Sequence, residues 1–323
     1  MKMSDCKNKR VLLIGGGGTL GTYTAKELLR LGAFVDVVCP EEKESDHKDL
    51  RFFRGMGTEE FLSPLFAETR YDGIVNFIHY PKPDEYKQIH SFLMKNTDHL
   101  IFLSSYRVYA DEQHPITETA PRLYDVIDDP HLLKYETYAI SKAKCEDFLR
   151  NEHKGENWTI VRPVISFSSR RLDLLLYSGR EVLDYAARGE AMPMPETVRN
   201  YSAGIDHAGN SGKLIANLLF KKDAMGETFT VYSGHGMTWG EVADTYAEVT
   251  GVKFRWCPQQ EFLDYIYKFK QDPWYWKYDR IYNRDIDCSK ILRVTGLHAS
   301  DFVSVKEGIL IELAVLEELN GKA

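Results

Sequence analysis

The feature that most constrains the fold lies near the start of the chain, where glycines separate a short apolar run from a stretch with helical periodicity. The run Val11–Ile14 is apolar and of strand length, and it is followed directly by Gly15-Gly16-Gly17-Gly18-Thr19-Leu20-Gly21. Residues Thr19 to Leu31 are predicted to form a helix. Glycines at such a junction permit a tight turn and close backbone approach because they lack a Cβ atom. The junction therefore predicts a strand–turn–helix unit of an α/β fold.

The first half of the chain repeats this alternation of apolar runs and helices, as βαβ units do. A long helix is predicted over Tyr135–Asn151. Further strands are predicted at Phe34–Val38, Arg51–Arg54, Tyr71–Ile78, His99–Leu103 and Trp158–Val161. Beyond about residue 165 the pattern loosens into helices and short strands. We expect a doubly wound parallel sheet in residues 1–165, and a smaller C-terminal lobe in residues 166–323 with some segments returning to the sheet.

Composition narrows the possible ligands and partners. Asp and Glu number 48 against 41 Lys and Arg, a formal charge of −7, so the chain as a whole repels a nucleic-acid backbone. The five cysteines are never spaced as CxxC, and the ten histidines include no HExxH motif, so we expect neither disulfides nor a metal site. The polar N-terminus predicts no signal peptide or membrane span. These features favour a cytoplasmic protein with a small-molecule ligand.

The glycine run fits two spacings of dinucleotide-binding loops. Gly16-x-Gly18-x-x-Gly21 is the general fingerprint, and Gly15-x-x-Gly18-x-x-Gly21 is the spacing of short-chain dehydrogenases. Backbone N–H groups and the helix N-terminus bind the pyrophosphate in such loops. Cys39 occupies the place where an acidic residue, about 20 positions on, would bind the ribose of NAD. The acidic residues just beyond it favour NAD as the cofactor, and NADP is the alternative.

A phenol and an ammonium group are expected on one face of the long helix. Tyr138 and Lys142 are four residues apart, which places them on the same side of a helix. A nearby positive charge lowers the pKa of a phenol, so Tyr138 can act as an acid and base on an alcohol or carbonyl. Ser105 follows the fifth predicted strand, at the sheet edge where ligands bind, and can hydrogen-bond the reacting oxygen. The three residues together predict a catalytic site.

These segments resemble one family over nearly the whole chain. The glycine run, Leu103-Ser104-Ser105-Tyr106-Arg107-Val108-Tyr109, Tyr138-x-x-x-Lys142 and Ile160-Val161-Arg162-Pro163 are similar to extended short-chain dehydrogenase/reductases of the NAD-dependent epimerase/dehydratase family. The second half agrees in three later segments, which are Arg199-Asn200-Tyr201 with Ile205–Ala208, Gly226–Val231, and Thr238–Glu241. The resemblance implies a Rossmann-type domain that binds the nucleotide, and a C-terminal lobe that binds a nucleotide-sugar or related substrate.

The resemblance also implies roles for individual residues. Ser105, Tyr138 and Lys142 would form the catalytic triad. Arg107 and Arg199 would bind the substrate, with Arg199 the candidate for a substrate phosphate. The implied cofactor-binding residues are Gly15, Gly18, Thr19, Leu20, Gly21, Cys39, Phe77, Lys142 and Pro163, the last of them near the nicotinamide. Members of the family often pair through two helices of the Rossmann domain, so the resemblance implies a homodimer.

Some positions depart from the family pattern. Dehydratases of the family carry Thr-Asp-Glu where this chain has Ser105-Tyr106-Arg107, and the missing carboxyl groups disfavour a dehydratase. His79 and Tyr80 replace a small-residue turn, and they either contact the cofactor or pack under the sheet edge. The leading interpretation is an NAD(P)-dependent epimerase of a nucleotide-sugar. The alternatives are an NAD(P)H-dependent reductase or dehydrogenase of a small carbonyl, and a non-catalytic RNA-binding member of the family.

The segment from Tyr265 to Tyr282 is unusually aromatic. It contains Trp274, Tyr275, Trp276 and Tyr278, interspersed with Lys268, Lys270, Lys277 and Arg280. One interpretation is a surface that stacks on a ligand or nucleic acid, and the other is packing within the C-terminal lobe or a dimer contact. Packing is favoured because aromatic side chains are mostly buried and the chain is acidic.

Overall fold

The computed structural model describes residues 5–169, 171–268 and 276–321. Strands and helices alternate through its first half. These elements are β1 (Arg10–Ile14), α1 (Thr19–Arg30), β2 (Phe34–Cys39), β3 (Leu50–Arg54), α2 (Glu59–Glu68), β4 (Gly73–Asn76), α3 (Pro83–Lys95), β5 (His99–Leu103), α4 (Leu123–Val126), α5 (Pro130–Tyr135), α6 (Ala139–Glu152) and β6 (Trp158–Pro163). A short 3-10 turn, Tyr106–Val108, follows β5.

The second half is built from shorter strands and more helix. Its elements are β7 (Ile165–Phe167), α7 (Gly179–Arg188), β8 (Ala191–Pro195), β9 (Ile205–His207), α8 (Ala208–Leu218), β10 (Glu227–Val231), α9 (Trp239–Thr250), β11 (Lys253–Cys257), α10 (Gln259–Ile266), α11 (Ser289–Thr295) and α12 (Val305–Gly321). An irregular helical turn, Trp276–Arg280, precedes α11. No helix within the described ranges is long and apolar enough to cross a membrane.

The main sheet has the order β10-β6-β5-β4-β1-β2-β3 among the residues described, and its strands are all parallel. From β1 the chain first builds outward through β2 and β3, and then returns to build the other side through β4, β5 and β6. This reversal between β1 and β4 creates a crevice at the carboxyl ends of the strands, where such sheets bind ligands. The predicted Rossmann-type doubly wound sheet is confirmed. β10, from the second half of the chain, extends it beside β6.

Alternation along β1 explains how both faces of the sheet are covered. Leu13 belongs to the core cluster that includes residues of α1 and α8, and Leu12 belongs to the cluster that includes residues of α3 and α6. Successive strand side chains point to opposite faces, so a continuous apolar run buries both. A separate core cluster surrounds Trp239, Phe262 and Trp276, and most of its members belong to the second half of the chain.

The aromatic segment contributes to packing where the structure describes it. Trp276 and Tyr278 are buried in apolar clusters, as packing would require. Trp274, Tyr275 and Lys270 lie outside the described residues. The interpretation as packing therefore holds for the described aromatic residues at the C-terminal end of the segment.

The long helix predicted over Tyr135–Asn151 is wrong at its beginning. α5 ends at Tyr135, and α6 begins only at Ala139. The carboxylate of Glu136 accepts the backbone N–H groups of Tyr138 at 3.2 Å and of Ala139 at 2.7 Å, which caps the first turn of α6. Tyr138 is thus the residue just before α6. Its carbonyl accepts the N–H of Lys142 at 3.1 Å, so the two side chains remain one helical turn apart.

Candidate active site

A cleft of about 360 Å³ opens at the carboxyl ends of β1, β5 and β6. It is where the chain brings most of the predicted site residues together. Those lining it are Gly15, Gly18, Thr19, Leu20, Gly21, Phe77, Ser105, Arg107, Tyr138 and Pro163. Arg171 and Arg280 contribute from the second half of the chain. The cleft therefore lies between the glycine turn and the C-terminal lobe.

The glycine turn has one tightly packed position and one open position. Gly21, in α1, lies against the turn itself, because a Cβ atom there would be 2.2 Å from the carbonyl oxygen of Gly16. Gly18 precedes α1 without any side-chain cap, and a Cβ atom on it would meet no atom within 4 Å. The N-terminus of α1 therefore faces open space with its backbone N–H groups. This arrangement fits the pyrophosphate of a dinucleotide.

Cys39 and Glu41 lie beside the same turn, at the end of β2. A Cβ atom on Gly17 would be 2.7 Å from Cβ of Cys39 and 2.5 Å from a carboxylate oxygen of Glu41. Cys39 is buried behind the cleft lining, and this burial raises the pKa of its thiol. Asp36 is unsuited to bind a ribose, because its buried carboxylate accepts two hydrogen bonds from Arg51. Glu41 is therefore the acidic side chain that approaches the turn.

Tyr138 and Ser105 both line the cleft. The half-buried ring of Tyr138 lies 4.9 Å from the ring of His79 and 5.2 Å from the guanidinium carbon of Arg107. The Ser105 hydroxyl accepts the backbone N–H of Arg107 at 3.2 Å, which caps the 3-10 turn after β5. The bond uses the oxygen of Ser105 as an acceptor, and its O–H proton can be donated to a reacting oxygen. The phenol, the hydroxyl and the guanidinium thus meet on one wall.

Lys142 lies beneath the cleft rather than on its surface. Its buried ammonium donates to the carbonyl oxygen of Ile78 at 3.1 Å and to that of Leu103. Burial lowers the pKa of Lys142 to about 8, because it penalises the charged form. The ammonium is held between the chain segments that follow β4 and end β5. A positive charge therefore lies one helical turn from Tyr138.

A cluster of buried charges fixes the arginines on the substrate side. The carboxylate of Asp279 accepts the hydroxyl of Tyr106 at 2.8 Å and pairs with Arg280. It also lies 3.3 Å from Arg284 and 3.6 Å from Arg107. These arginines hold the pKa of Asp279 below its usual value, although burial alone would raise it. Asp279 thus positions two guanidinium groups, those of Arg107 and Arg280, that line the cleft.

Sequence reasoning did not identify this cluster as part of a site. In the sequence, Arg280 is one of several basic residues of the aromatic segment, and Asp279 belongs to no motif. Their partner Tyr106 is 173 residues away from Asp279 along the chain. The nearest available signal was the concentration of charges among the aromatic residues near the end of that segment.

Arg199 and His79 do not line the cleft. The Arg199 side chain is 46% exposed, pairs with Glu196 at 3.5 Å and stacks 4.9 Å from the ring of Trp256. Nε2 of His79 lies 3.1 Å from the hydroxyl of Ser141, and burial lowers the pKa of its imidazole. Tyr80 is buried and accepts a hydrogen bond from Asn76 at 2.9 Å. His79 therefore packs against the ring of Tyr138.

Glu146 connects the elements that carry the site. It lies on α6 one turn after Lys142, fully buried. Its carboxylate accepts the hydroxyl of Ser104 at 2.6 Å and the Nε–H of Arg162 at 2.8 Å, and these residues belong to the end of β5 and to β6. The charged arginines hold the pKa of Glu146 low against the effect of burial. This carboxylate joins α6 to the strand ends beneath the cleft.

Comparison with known proteins gives a consistent group of relatives. No family model matches the chain. A curated UDP-glucose 4-epimerase of Lacticaseibacillus casei is 29% identical over 284 residues, which cover 75% of this chain and 81% of that protein. Among solved structures, the epimerase Mth375 of Methanothermobacter thermautotrophicus has a TM-score of 0.70 at 16% identity, covering 98% of this chain and 95% of that one.

Two further solved structures contain ligands. WbmG of Bordetella bronchiseptica, in complex with NAD and UDP, has a TM-score of 0.68 at 18% identity, over 97% of this chain and 96% of that one. UDP-glucose 4-epimerase of Thermotoga maritima, with UDP-glucose, has a TM-score of 0.66 at 16% identity, over 96% of this chain and 99% of that one. All three structures share the fold described above.

Proposed function

We propose that the chain is an NAD-dependent epimerase of a nucleotide-sugar, and a member of the extended short-chain dehydrogenase/reductases of the NAD-dependent epimerase/dehydratase family that it resembles. The observation that carries the proposal is the meeting of Ser105 and Tyr138 with the open N-terminus of α1 in a single cleft. The curated relative that acts on UDP-glucose supports it, as do the structures with NAD and UDP. In this proposal the same cleft would hold the cofactor and the reacting end of the substrate.

The residues that would hold the cofactor follow from the cleft lining. The glycine turn and the N-terminus of α1 would bind the pyrophosphate, with Cys39 and Glu41 at the adenosine end. Phe77 and Pro163 would line the nicotinamide end. Lys142, buried beneath this end, would turn its ammonium from a backbone carbonyl to the neighbouring ribose. Bound NAD supplies a hydride acceptor that also returns the hydride within one cycle.

Tyr138 is the acid and base of the proposed reaction. It removes the proton from a sugar hydroxyl while Ser105 donates a hydrogen bond to the same oxygen. The positive charge of Lys142 stabilises the phenolate that this step requires. Loss of this proton together with the hydride on the adjoining carbon leaves a ketone, which turns over in the cleft; when the hydride is returned to the other face of the carbon, Tyr138 returns the proton to the oxygen. The product then differs from the substrate in configuration at one carbon, with no net oxidation.

The substrate end of the cleft is lined by guanidinium groups. Arg280 and Arg171 lie there, and Arg280 is fixed by Asp279 and by the carbonyl of Leu175 at 2.8 Å. Guanidinium groups match the geometry of phosphate oxygens. We therefore assign the binding of the substrate diphosphate to Arg280 and Arg171 in preference to Arg199, which lies outside the cleft lining.

The test compares Tyr138→Phe with a matched tyrosine variant. Tyr135→Phe, at a 52% exposed tyrosine three residues earlier, serves as the control. Epimerisation is followed with UDP-glucose and UDP-galactose first and then with other nucleotide-sugars, and NAD affinity is measured by titration. We expect Tyr138→Phe to lose turnover while keeping its affinity for NAD, and Tyr135→Phe to match the wild-type protein. Unchanged turnover in Tyr138→Phe would overturn the mechanism.

Mass spectrometry of small molecules released by denaturing the fresh protein distinguishes the alternatives. An epimerase regenerates its cofactor in each cycle, so retained NAD is expected. Consumption of NADH with release of a reduced product would indicate a reductase instead. A protein that binds no dinucleotide but retains structured RNA in a salt-sensitive manner would indicate the binding function. The homodimer stays a prediction that sedimentation would test.

A further inference from the structure

A second group of polar side chains lies apart from the cleft, where α3 approaches the turn between α6 and β6. It consists of His90, His153 and Glu156. His90 lies on α3 and is completely buried. His153 directly follows α6, and its carbonyl accepts the indole N–H of Trp158 at 2.7 Å. None of the three lines the catalytic cleft, and the proposed reaction does not use them.

The donor atoms of these residues converge. Nε2 of His90 lies 3.2 Å from one carboxylate oxygen of Glu156, and Nδ1 of His153 lies 2.9 Å from the other. One ligand atom from each residue lies within 4.8 Å of the others. Tetrahedral coordination with bonds of about 2.0–2.1 Å places ligand atoms about 3.3 Å apart. Because the donors are at most 4.8 Å apart, they need to approach one another by no more than about 1.5 Å to reach this spacing.

The chemistry of the donor set selects the kind of ion. Two imidazole nitrogens and one carboxylate oxygen form a mixed nitrogen and oxygen set that suits Zn²⁺ and similar divalent transition metals better than Ca²⁺ or Mg²⁺. The imidazole of His90 also has a partner on its other side, because Nδ1 lies 3.2 Å from the hydroxyl of Tyr86. With a metal at Nε2, the Nδ1–H would donate to that hydroxyl, as ligating histidines commonly do.

We propose that His90, His153 and Glu156 form a binding site for a divalent transition-metal ion, best matched by Zn²⁺. The side chains of His153 and Glu156 are 17% and 41% exposed, so an ion reaches the site from solvent, and a water molecule completes the coordination. The ion joins α3 to the end of the helix whose beginning carries Lys142. It therefore cross-links α3 to the C-terminal end of α6, at the end of that helix opposite Tyr138.

This site could not be predicted from the sequence, because its ligands are distant from one another in the chain. His90 and Glu156 are 66 residues apart, and His153 and Glu156 alone do not form a recognisable motif. The expectation of no metal site rested on the absence of short ligand spacings. Only the packing of α3 against α6 brings the imidazoles together, with ring centroids 4.3 Å apart.

The test uses tag-free, full-length protein that has been treated with EDTA and then freed of the chelator. ZnCl₂ is titrated by calorimetry, and thermal unfolding is followed with and without ZnCl₂. We expect one Zn²⁺ per chain and a higher Tm with the ion, because a ligand that binds the folded state stabilises it. Glu156→Gln and His153→Gln should each weaken Zn²⁺ binding at least tenfold and remove most of the Tm increase.

His47→Gln is the matched control, because His47 is an exposed histidine remote from the cluster in sequence. It should bind Zn²⁺ as the wild-type protein does. Glu156→Gln changes a partly exposed side chain without changing its shape, so it keeps the test valid if His153→Gln is poorly folded. Absence of stoichiometric Zn²⁺ binding, or equal binding by Glu156→Gln and wild-type protein, would overturn the proposal.

Discussion

Two alanine substitutions in the glycine turn separate its role in folding from its role in cofactor binding. A Cβ atom on Gly18 meets no protein atom within 4 Å, and its φ of −80° is accessible to alanine. We therefore expect the free energy of unfolding of Gly18→Ala to lie within about 1 kcal/mol of the wild-type value. A Cβ atom on Gly21 would lie 2.2 Å from the Gly16 oxygen and 2.4 Å from its Cα, so Gly21→Ala must displace backbone.

The two variants place the same added methyl group against different partners. Forcing a methyl group into a packed site costs about 1–3 kcal/mol. In Gly21→Ala this cost lowers the free energy of unfolding, because the clash is with the protein's own backbone. In Gly18→Ala the same steric cost weakens nucleotide binding instead, because the methyl group meets the bound nucleotide. At about 1.4 kcal/mol per tenfold change, we expect NAD to bind roughly 5- to 140-fold more weakly to Gly18→Ala.

Calorimetric titration with NAD and denaturant unfolding measure the two effects separately. Gly236→Ala is a suitable control, because a Cβ atom there also meets nothing within 4 Å and the residue does not line the cleft. It should match the wild-type protein in both measurements. If Gly18→Ala bound NAD with wild-type affinity, no ligand would approach the open face of the turn. That result would refute the assignment of the pyrophosphate to this helix terminus.

Three further perturbations test the surroundings of the cleft. Glu146→Gln should lose about 3–5 kcal/mol of stability in denaturant unfolding, since the buried Arg162 loses its charged partner. Arg107→Leu removes a cation that stacks on the Tyr138 ring, a contact worth about 0.5–2 kcal/mol. It should therefore lower kcat roughly 2- to 30-fold at unchanged NAD affinity. Burial lowers the pKa of His99 from 6.5 to about 4. The free energy of unfolding should therefore fall by about 3 kcal/mol as the pH drops through this range. His99→Gln should remove that part of the pH dependence.

The sign of the pH effect follows from the two hydrogen bonds of His99. Its Nδ1 accepts the backbone N–H of Phe220 at 2.9 Å, and its Nε2 lies 2.8 Å from the hydroxyl of Thr159. Protonation would turn the accepting nitrogen into a donor and break the bond to Phe220. The unfolded chain therefore binds this proton at a higher pH than the folded chain. Stability is retained above pH 6.5 and lost progressively on acidification.

Local sequence spacing predicted the parts of the site that lie on single elements. The glycine turn could be recognised because its spacing is fixed by one strand–helix junction, and Tyr138 with Lys142 because they are one helical turn apart. The beginning of α6 could not be recognised in this way, since capping by Glu136 depends on where the chain bends before the helix. Propensity does not encode such a bend, and the predicted helix consequently began too early.

The substrate side of the cleft could not be predicted in the same way, because it depends on contacts across long separations. Arg280 lines the cleft only because Asp279 and Tyr106 hold its guanidinium there. Arg199 has the family spacing, yet its side chain stacks on Trp256 outside the cleft lining. The sequence shows where a charged side chain occurs but not which way that side chain points. That direction is set by the partner that satisfies it when it is buried.

The buried charges beneath the cleft explain how a small group of residues can be held for catalysis. Glu146 is fixed to Ser104 and Arg162, and it lies on the same helix as Lys142, whose ammonium is held by the carbonyls of Ile78 and Leu103. Each of these contacts joins α6 to a strand end that borders the cleft. Because leaving any of these charges without its partner is costly in a buried site, α6 has little freedom to shift relative to the strand ends. The position of Tyr138 relative to Ser105 is therefore determined by the same interactions that stabilise the fold.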